Sequence, residues 1–464
     1  MVLVAHSFYL ARDAKQLERR KPYSPLTALL AAAMLRQERH DVRLFDATFA
    51  DSVGAFAATL DRMQPSILLL LEDNFNFLTK MCTENRRADA LAMIRAAHGR
   101  GWRIAVNSPD AVDNPAPYLD AGAAAVLTGE GEFVAGEFVK AVQENIDLSL
   151  VGGLIVHDDK GRVKRTPSPL PRPDLDALPF PAWDLVDVAA YRRAWAGKHG
   201  YFSWNVASSR GCPYSCNWCA KPTFGRRYSQ RSPASMAEEL RRLKQAVAPD
   251  HLWFADDIFG MTAEWIGEFA REIVRRDAVI PFTMQSRVNL ITRSVAAALR
   301  GAGAQEVWLG VETGSQRVLD AMDKGAHVDT ARVATRNLRR EGIRACWFLQ
   351  LGYPPEDWQD VVLTRELVRE EQPDEIGVSV AYPLPGTPFH DRLAAELGAR
   401  RNWRDTDELA MLFNGTFDTE FYRKVRDALH LDVTLRRSDQ SGWAELEAQA
   451  PLHRLAPAAL RLSA

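Results

Sequence analysis

Short apolar runs separated by helix-length segments recur along the chain, and this alternation constrains the fold more than any other feature. In residues 1–140, Val2-Leu3-Val4-Ala5, Val42-Arg43-Leu44-Phe45-Asp46, Ile67-Leu68-Leu69-Leu70-Leu71, Arg103-Ile104-Ala105-Val106 and Ala124-Ala125-Val126-Leu127 read as strands, and the Ala/Leu-rich residues 26–36 as a helix. Strands so spaced form parallel βαβ units. They predict a doubly wound α/β sheet whose ligands bind beyond the carboxyl ends of its strands. From Trp204 the alternation resumes in Trp204-Asn205-Val206-Ala207, Leu252-Trp253-Phe254-Ala255, Phe282-Thr283-Met284-Gln285-Ser286-Arg287, Val307-Trp308-Leu309-Gly310-Val311, Cys346-Trp347-Phe348-Leu349-Gln350-Leu351 and Ile376-Gly377-Val378-Ser379-Val380. Helices are expected at 233–245 and 294–300. Six βα-type repeats predict a partial parallel barrel with all strand ends on one rim, where barrel enzymes keep their chemistry.

The loop after the first of these later strands is Ser209-Arg210-Gly211-Cys212-Pro213-Tyr214-Ser215-Cys216-Asn217-Trp218-Cys219, with three of the chain's five cysteines. Thiolates spaced C-x3-C-x2-C, on a loop kinked by Gly211 and Pro213, can converge on one soft metal centre. Iron–sulfur clusters are held by such thiolates, usually four of them. A fourth is missing locally, which would leave one iron open, as catalytic zinc sites keep an exchangeable position. A structural zinc site is the competing reading. It would want a fourth Cys or His nearby, and the next histidine downstream is His251, 32 positions on.

Composition narrows the class. At 464 residues the chain is too long for one ordinary core, and 47% hydrophobic with 25% charged residues suits a soluble globular protein of two or three domains. A formal charge of −2 gives no reason to expect nucleic acid or an anionic membrane as a partner. No apolar run reaches the length of a membrane span, and Met1-Val2-Leu3-Val4-Ala5 lacks the basic flank of a signal peptide. Clustered cysteines argue against a secreted disulfide scaffold, so a cytoplasmic location is expected. Cys82 and Cys346 read as buried packing thiols.

The cysteine spacing, with Trp218 just before the last thiol, resembles the radical S-adenosylmethionine (SAM) enzymes. That resemblance implies a [4Fe-4S] cluster on Cys212, Cys216 and Cys219, whose open iron chelates the amino and carboxylate groups of SAM. One electron, from a donor such as flavodoxin or ferredoxin, then cleaves SAM to a 5′-deoxyadenosyl radical. Later segments resemble the same family: Phe254-Ala255-Asp256-Asp257-Ile258-Phe259, then Gln285 and Arg287, then Gly310-Val311-Glu312-Thr313-Gly314-Ser315. Trp218, Asp256, Asp257, Gln285, Arg287 and Glu312 are thereby implied as SAM contacts. A guanidinium fork suits the methionyl carboxylate, and Glu312 suits ribose hydroxyls. Singly, Asp256 or Asp257 could instead cap a helix and Arg287 sit in a surface ion pair.

The order of segments further resembles the cobalamin-binding subgroup, relatives of the anaerobic Mg-protoporphyrin monomethyl ester cyclase and of cobalamin-dependent radical SAM methyltransferases. Lys21-Pro22-Tyr23-Ser24-Pro25-Leu26 stands where the subgroup has Pro-Pro-Leu-Gly, and Gly129-Glu130-Gly131-Glu132 matches its Gly-Glu-Gly-Glu turn. Asn107-Ser108-Pro109-Asp110 replaces its Gly-Gly-Pro-His, and no Asp-x-His-x-x-Gly motif is present. The resemblance implies a Rossmann-like cobalamin-binding domain at 1–140, with Asn74, Phe75, Ser108, Thr128, Gly129 and Glu130 near the corrin and no protein imidazole on cobalt. The loop Glu72-Asp73-Asn74-Phe75-Asn76-Phe77 reads equally as an ordinary βα loop.

Residues 141–195 read as a connector. It holds a small hairpin around Asp158-Asp159-Lys160, a Pro-rich run at 167–181, and Leu178-Pro179-Phe180-Pro181-Ala182-Trp183-Asp184-Leu185, which resembles the subgroup's interdomain string. A partial (β/α)6 TIM-type core follows at 196–390. A helical region at 391–464 contains Asn402-Trp403-Arg404-Asp405 and Phe421-Tyr422-Arg423-Lys424-Val425-Arg426, similar to the tails of cyclase relatives.

The first functional expectation is methylation of an unactivated carbon in a small-molecule substrate of natural-product, lipid or tetrapyrrole type, using methylcobalamin and the deoxyadenosyl radical. The alternative is oxidative cyclisation or rearrangement with the same cofactors and no methyl transfer. A third reading, a cobalamin-binding sensor or carrier whose cysteine loop holds zinc, belongs to another class. No catalytic acid or base stands out.

Overall fold

A computed structural model of the chain describes residues 1–64, 66–76, 83–167, 174–219, 225, 227–398, 409–436 and 440–455. The five expected N-terminal strands are β1 (Val2–Ala5), β2 (Val42–Phe45), β3 (Ile67–Leu71), β4 (Arg103–Asn107) and β5 (Ala125–Leu127), mutually parallel in the order β2-β1-β3-β4-β5. The two-residue period of the strands divides their side chains between two cores. Leu3, Leu68, Leu70, Ile104 and Val106 pack with Met93 and Ile94 of the helix Thr83–His98. Val2, Val4, Leu69 and Ala105 pack with Ala28 and Ala32 of the helix Leu26–Gln37 and with Val134 and Phe138 of the helix Gly131–Gln143. Helices therefore cover both faces, as a doubly wound sheet requires. Its order reverses between β1 and β3, and the crevice at such a reversal is where ligands of these sheets bind.

The expected hairpin forms, but it is part of this sheet and not a free connector. β6 (Leu154–His157) pairs antiparallel with β5, and β7 (Val163–Arg165) with β6. The Asp158 carboxylate accepts from the amides of Lys160 and Arg162 and so closes the turn. Downstream, Trp183 is buried and Phe180 half-buried against the second core, which also takes in Leu29.

That second core surrounds six parallel strands. They are β8 (Ser203–Val206), β11 (His251–Phe254), β12 (Phe282–Ser286), β13 (Ala304–Glu312), β14 (Arg344–Leu351) and β15 (Glu375–Val380), paired in chain order. Between the first two lies a small antiparallel ribbon, β9 (Ser209–Arg210) with β10 (Ser229–Gln230). β8 and β15 are the sheet's two edges, so the barrel is partial. The expected helices occur at Pro233–Ala246 and Arg293–Ala302, capped by the side chains of Ser232 and Thr292. The intervening helix Ala263–Arg275 buries Ile266, Phe269 and Ile273, a stripe at helical spacing that faces the strands.

The C-terminal region supplies the helices Pro388–Leu397, Thr419–Leu435 and Gln440–Gln449. The second buries Phe421, Tyr422, Val425 and Leu429 against the barrel core. Cys346 is fully buried, as expected of a packing thiol, whereas Cys82 and residues 402–405 lie outside the described residues. No helix among the described residues is long and apolar enough to cross a membrane.

Candidate cofactor and active site

The cysteine loop is fastened before its first thiol. The Ser208 amide and hydroxyl donate to the Asp256 carboxylate at 3.1 and 2.6 Å, and the Ser209 hydroxyl donates to it at 2.5 Å. Register in the ribbon places Arg210 opposite Ser229. Gly211 then turns the chain with φ +78°, where a side chain would come within 2.3 Å of the Arg227 carbonyl oxygen. Only glycine fits that turn. At the far end, the Asn217 amide donates to the Met322 carbonyl at 3.1 Å, and the Tyr353 hydroxyl donates to Asn217 Oδ1 at 2.5 Å. Cys212 and Cys216 between these anchors, and Cys219 just beyond the second, carry thiols outside any disulfide that face a cavity of about 1980 Å³.

The carboxyl ends of the next strands complete that wall. Trp218, Asp257, Gln285, Arg287 and Glu312 all line the cavity with the cysteines, so five of the six residues expected around SAM are brought together. Arg287 is buried. Its guanidinium donates to Cys216 Sγ at 3.2 Å, stacks 3.8 Å over the Tyr214 ring, and is braced by the Lys324 carbonyl. Gln285 Nε2 donates to the Asp256 carbonyl at 2.6 Å, fixing the end of β11. Glu312 lies at a register shift in β13 with φ +67°, a conformation costly for a side chain other than glycine. The bulge aims its carboxylate at Lys324 Nζ, 2.5 Å away. Gly310 leaves room for this pair, since a side chain there would come 2.9 Å from both charged groups.

Asp256 departs from its expected place. It is fully buried away from the cavity, and its carboxylate is spent on Ser208 and Ser209. Burial raises its pKa, against the pull of those hydrogen bonds. Its role here is to hold the cysteine loop to the barrel.

The opposite wall of the same cavity is the switch point of the first sheet, where His6, Glu72, Asp73, Asn74 and Phe75 follow β1 and β3. Asp73 accepts from the Thr27 hydroxyl at 3.3 Å, and burial pushes its carboxyl up to about 6. Asn74 donates to Asn107 Oδ1 at 2.7 Å, and Asn107 in turn donates to the Leu127 carbonyl at 2.8 Å, so one amide ladder ties the ends of β3, β4 and β5. Gly131 must be glycine here, because a side chain would come within 2.4 Å of Asn107. Of the expected corrin contacts, only Asn74 and Phe75 line the cavity. Ser108 caps the short helix Pro109–Asp113 and Thr128 donates to the Gly153 carbonyl. Gly129 turns with φ +62° beside open space, and Glu130 is turned toward Arg210.

The donor sets fit the groups the sequence implies. Three thiols outside any disulfide, on a clamped loop, suit a cluster with one open iron. The buried Oδ1 of Asn74, Nε1 of Trp218 and Oε1 of Gln350 have no hydrogen-bond partner among the described residues, and all three residues line the cavity. Buried polar atoms are rarely left so, and these would be satisfied by an occupant. Sequence reasoning missed Lys324 and Gln350. Lys324 lies in a loop beyond a helix with no local pattern to mark it, whereas Gln350 was visible as a polar residue in an apolar strand.

Comparison with known proteins agrees with this geometry. The family model of the Radical SAM superfamily matches residues 206–368. An uncharacterized methyltransferase of Pyrococcus horikoshii is 27% identical over 394 residues, covering 82% of this chain and 81% of that protein. The anaerobic magnesium-protoporphyrin IX monomethyl ester cyclase of Rubrivivax gelatinosus is 28% identical over 288 residues, covering 61% of this chain and 50% of that protein. Among solved structures, the radical SAM methyltransferase TsrM from Kitasatospora setae, with cobalamin and a [4Fe-4S] cluster bound, superposes with a TM-score of 0.71 at 19% identity. That match covers 87% of this chain and 76% of TsrM, a likeness of fold.

Proposed function

From the radical SAM domain at residues 206–368, we propose that this protein is a cobalamin-dependent radical SAM methyltransferase acting on an unactivated carbon of a small molecule. The observation that carries the reading is the shared cavity. The three cysteines and the switch-point loop of the first sheet face one another across it, with polar groups awaiting partners on both walls. When bound, the cluster with SAM and the corrin would supply a hydrogen-abstracting radical and a transferable methyl group respectively.

The chain's own residues bind and orient. Cys212, Cys216 and Cys219 would hold the cluster. Arg287, already beside Cys216, would take the methionyl carboxylate with its fork. Glu312 would accept from ribose hydroxyls, and Asp257 and Trp218 lie on the same wall. Asn74 and Phe75 would support the corrin, with Ser108, Thr128 and Gly129 on the strand-end edge beside them. The barrel on one side and the first sheet on the other would bring the reacting atoms together and limit their contact with water. A reducing, cytoplasmic setting with a flavodoxin or ferredoxin as electron donor suits such a cluster.

The methyltransferase relative of Pyrococcus, matched over about four-fifths of both chains, favours methyl transfer. The Rubrivivax cyclase keeps a second reading, oxidative cyclisation, in view. The test uses SAM labelled on its methyl carbon, the anaerobically reconstituted protein with cobalamin, and a strong reductant. Label on the bound cobalamin with release of S-adenosylhomocysteine is expected. An unlabelled corrin, with labelled methionine and 5′-deoxyadenosine as the only products of SAM, would overturn methyl transfer and favour cyclisation.

A further inference from the structure

Arg210 stands two residues before the first cluster cysteine, yet its side chain points out of the barrel and into the first domain. It is 4% exposed, with Nε 3.7 Å from Glu130 Oε1 and 3.6 Å from Glu132 Oε1, both buried carboxylates of the Gly-Glu-Gly-Glu turn. Its guanidinium lies 4.3 Å over the ring of Phe75, in the loop after β3 that lines the cavity. Phe75 itself packs with Leu26 and Leu30 of the first domain and with Ala207 and Ala255 of the barrel. Arg210 thus touches two of the loops at the carboxyl edge of the first sheet.

The neighbours of Arg210 in sequence are tied elsewhere. Ser208 and Ser209 are held to Asp256 at the end of β11, and Gly211 is wedged against the Arg227 carbonyl. Four consecutive residues therefore join the barrel, the first domain and the cysteine loop, with no flexible segment between them. A guanidinium is suited to this work, since it is planar and stacks on an aromatic face while serving two carboxylates.

We propose that Arg210 is a positioning residue that sets the cysteine loop in register with the corrin-facing loops, through Glu130, Glu132 and Phe75. Glu130 and Glu132 then belong to this latch and not to corrin binding. The inference rests on the cofactor assignment proposed above for its functional meaning, but the mechanical coupling is a property of the chain alone.

The test separates the two. In the cofactor-free chain, hydrogen exchange is followed at amides 129–133 and 211–219 in the wild type and in Arg210→Met. Because Arg210→Met strands two buried carboxylates and risks misfolding, Arg210→Met/Glu130→Gln/Glu132→Gln serves as a charge-balanced partner, and Arg210→Lys as the conservative variant. Exchange is expected to rise together in both segments, about tenfold, in the methionine variants, and less in Arg210→Lys. In the reconstituted holoprotein, the charge-balanced variant should keep its iron and cobalamin while the distance distribution between reduced cluster and Co(II), read by pulsed paramagnetic resonance, broadens. A purely structural role would lower thermal stability without that broadening. Faster exchange confined to 211–219, an unchanged distance distribution, or loss of cobalamin in Glu130→Gln/Glu132→Gln with Arg210 intact would overturn the latch. Failure of the wild type itself to bind cobalamin would count against the cofactor assignment and leave the exchange result to decide the latch.

Discussion

Lys324 Nζ lies 2.5 Å from Glu312 Oε1, and neither side chain is more than 7% exposed. Lys324 Nζ also sits 5.9 Å over the Trp218 ring, so a cation from the far side of the site spans β13 and the cysteine loop. Removing one member of such a pair leaves an uncompensated buried charge, typically at a cost of about 3–5 kcal/mol. Lys324→Met should therefore destabilise the chain by that order in urea unfolding, and Glu312→Gln/Lys324→Met should recover most of the loss. If the single and double variants unfold alike, the pair is not the compensation described here.

Glu356 gives a stability signature in pH. Its Oε1 accepts from the Gly352 amide at 2.7 Å, and burial pushes its carboxyl up to about 8, with Asp360 and Asp357 adding to the rise. The folded chain keeps this proton at neutral pH, whereas the unfolded chain releases it near 4.5. Between those values the folded state binds more protons, so raising the pH through that window costs stability. Glu356→Gln cannot titrate. Its unfolding midpoint should match the wild type near the low end of the window and exceed it near the high end. Parallel pH curves for the two proteins would contradict the assignment.

His6 is the imidazole that the first sheet presents to the cavity, and it is already engaged. Its Nε2 lies 2.9 Å from Asp46 Oδ1, and its Nδ1 is 3.2 Å from the Phe8 amide, which donates to it. The Ala47 amide also donates to Nε2, at 3.1 Å. With both nitrogens taken, His6 should not reach cobalt. Paramagnetic resonance of Co(II) cobinamide, a corrin lacking its own base, bound to the protein should show no nitrogen splitting, and His6→Gln should leave the spectrum unchanged. Splitting that disappears in His6→Gln would refute this.

Much of this was legible in the sequence because local rules and the fold agree. Runs such as Ile67-Leu68-Leu69-Leu70-Leu71 are buried on both faces, as central parallel strands must be. The rim residues could be placed because each lies at or just beyond the carboxyl end of a strand whose period was clear. What remained hidden depends on distant parts of the chain. Asp256 and Asp257 are adjacent and chemically alike, and only the position of Ser208 and Ser209 turns the first inward to the loop and leaves the second on the cavity. The hairpin at Val151-Gly152-Gly153 onward was readable as a hairpin, but its pairing with β5 depends on a neighbour across the sheet. Glu130 shows the same limit, since the turn was recognisable and its partner, Arg210, lies eighty residues away.

We propose that one chain holds a cysteine-ligated cluster and a corrin on facing walls of one cavity. Iron, acid-labile sulfide, zinc and cobalt measured together on anaerobically reconstituted protein, wild type beside Cys212→Ala/Cys216→Ala/Cys219→Ala, test it most directly. The wild type should carry one cluster's iron and sulfide with one equivalent of cobalt, and the triple variant should lose the iron and sulfide while retaining the cobalt, because the first sheet folds without those thiols. Zinc in place of iron, cluster iron that survives in the triple variant, or wild-type protein that binds no cobalamin would contradict the account.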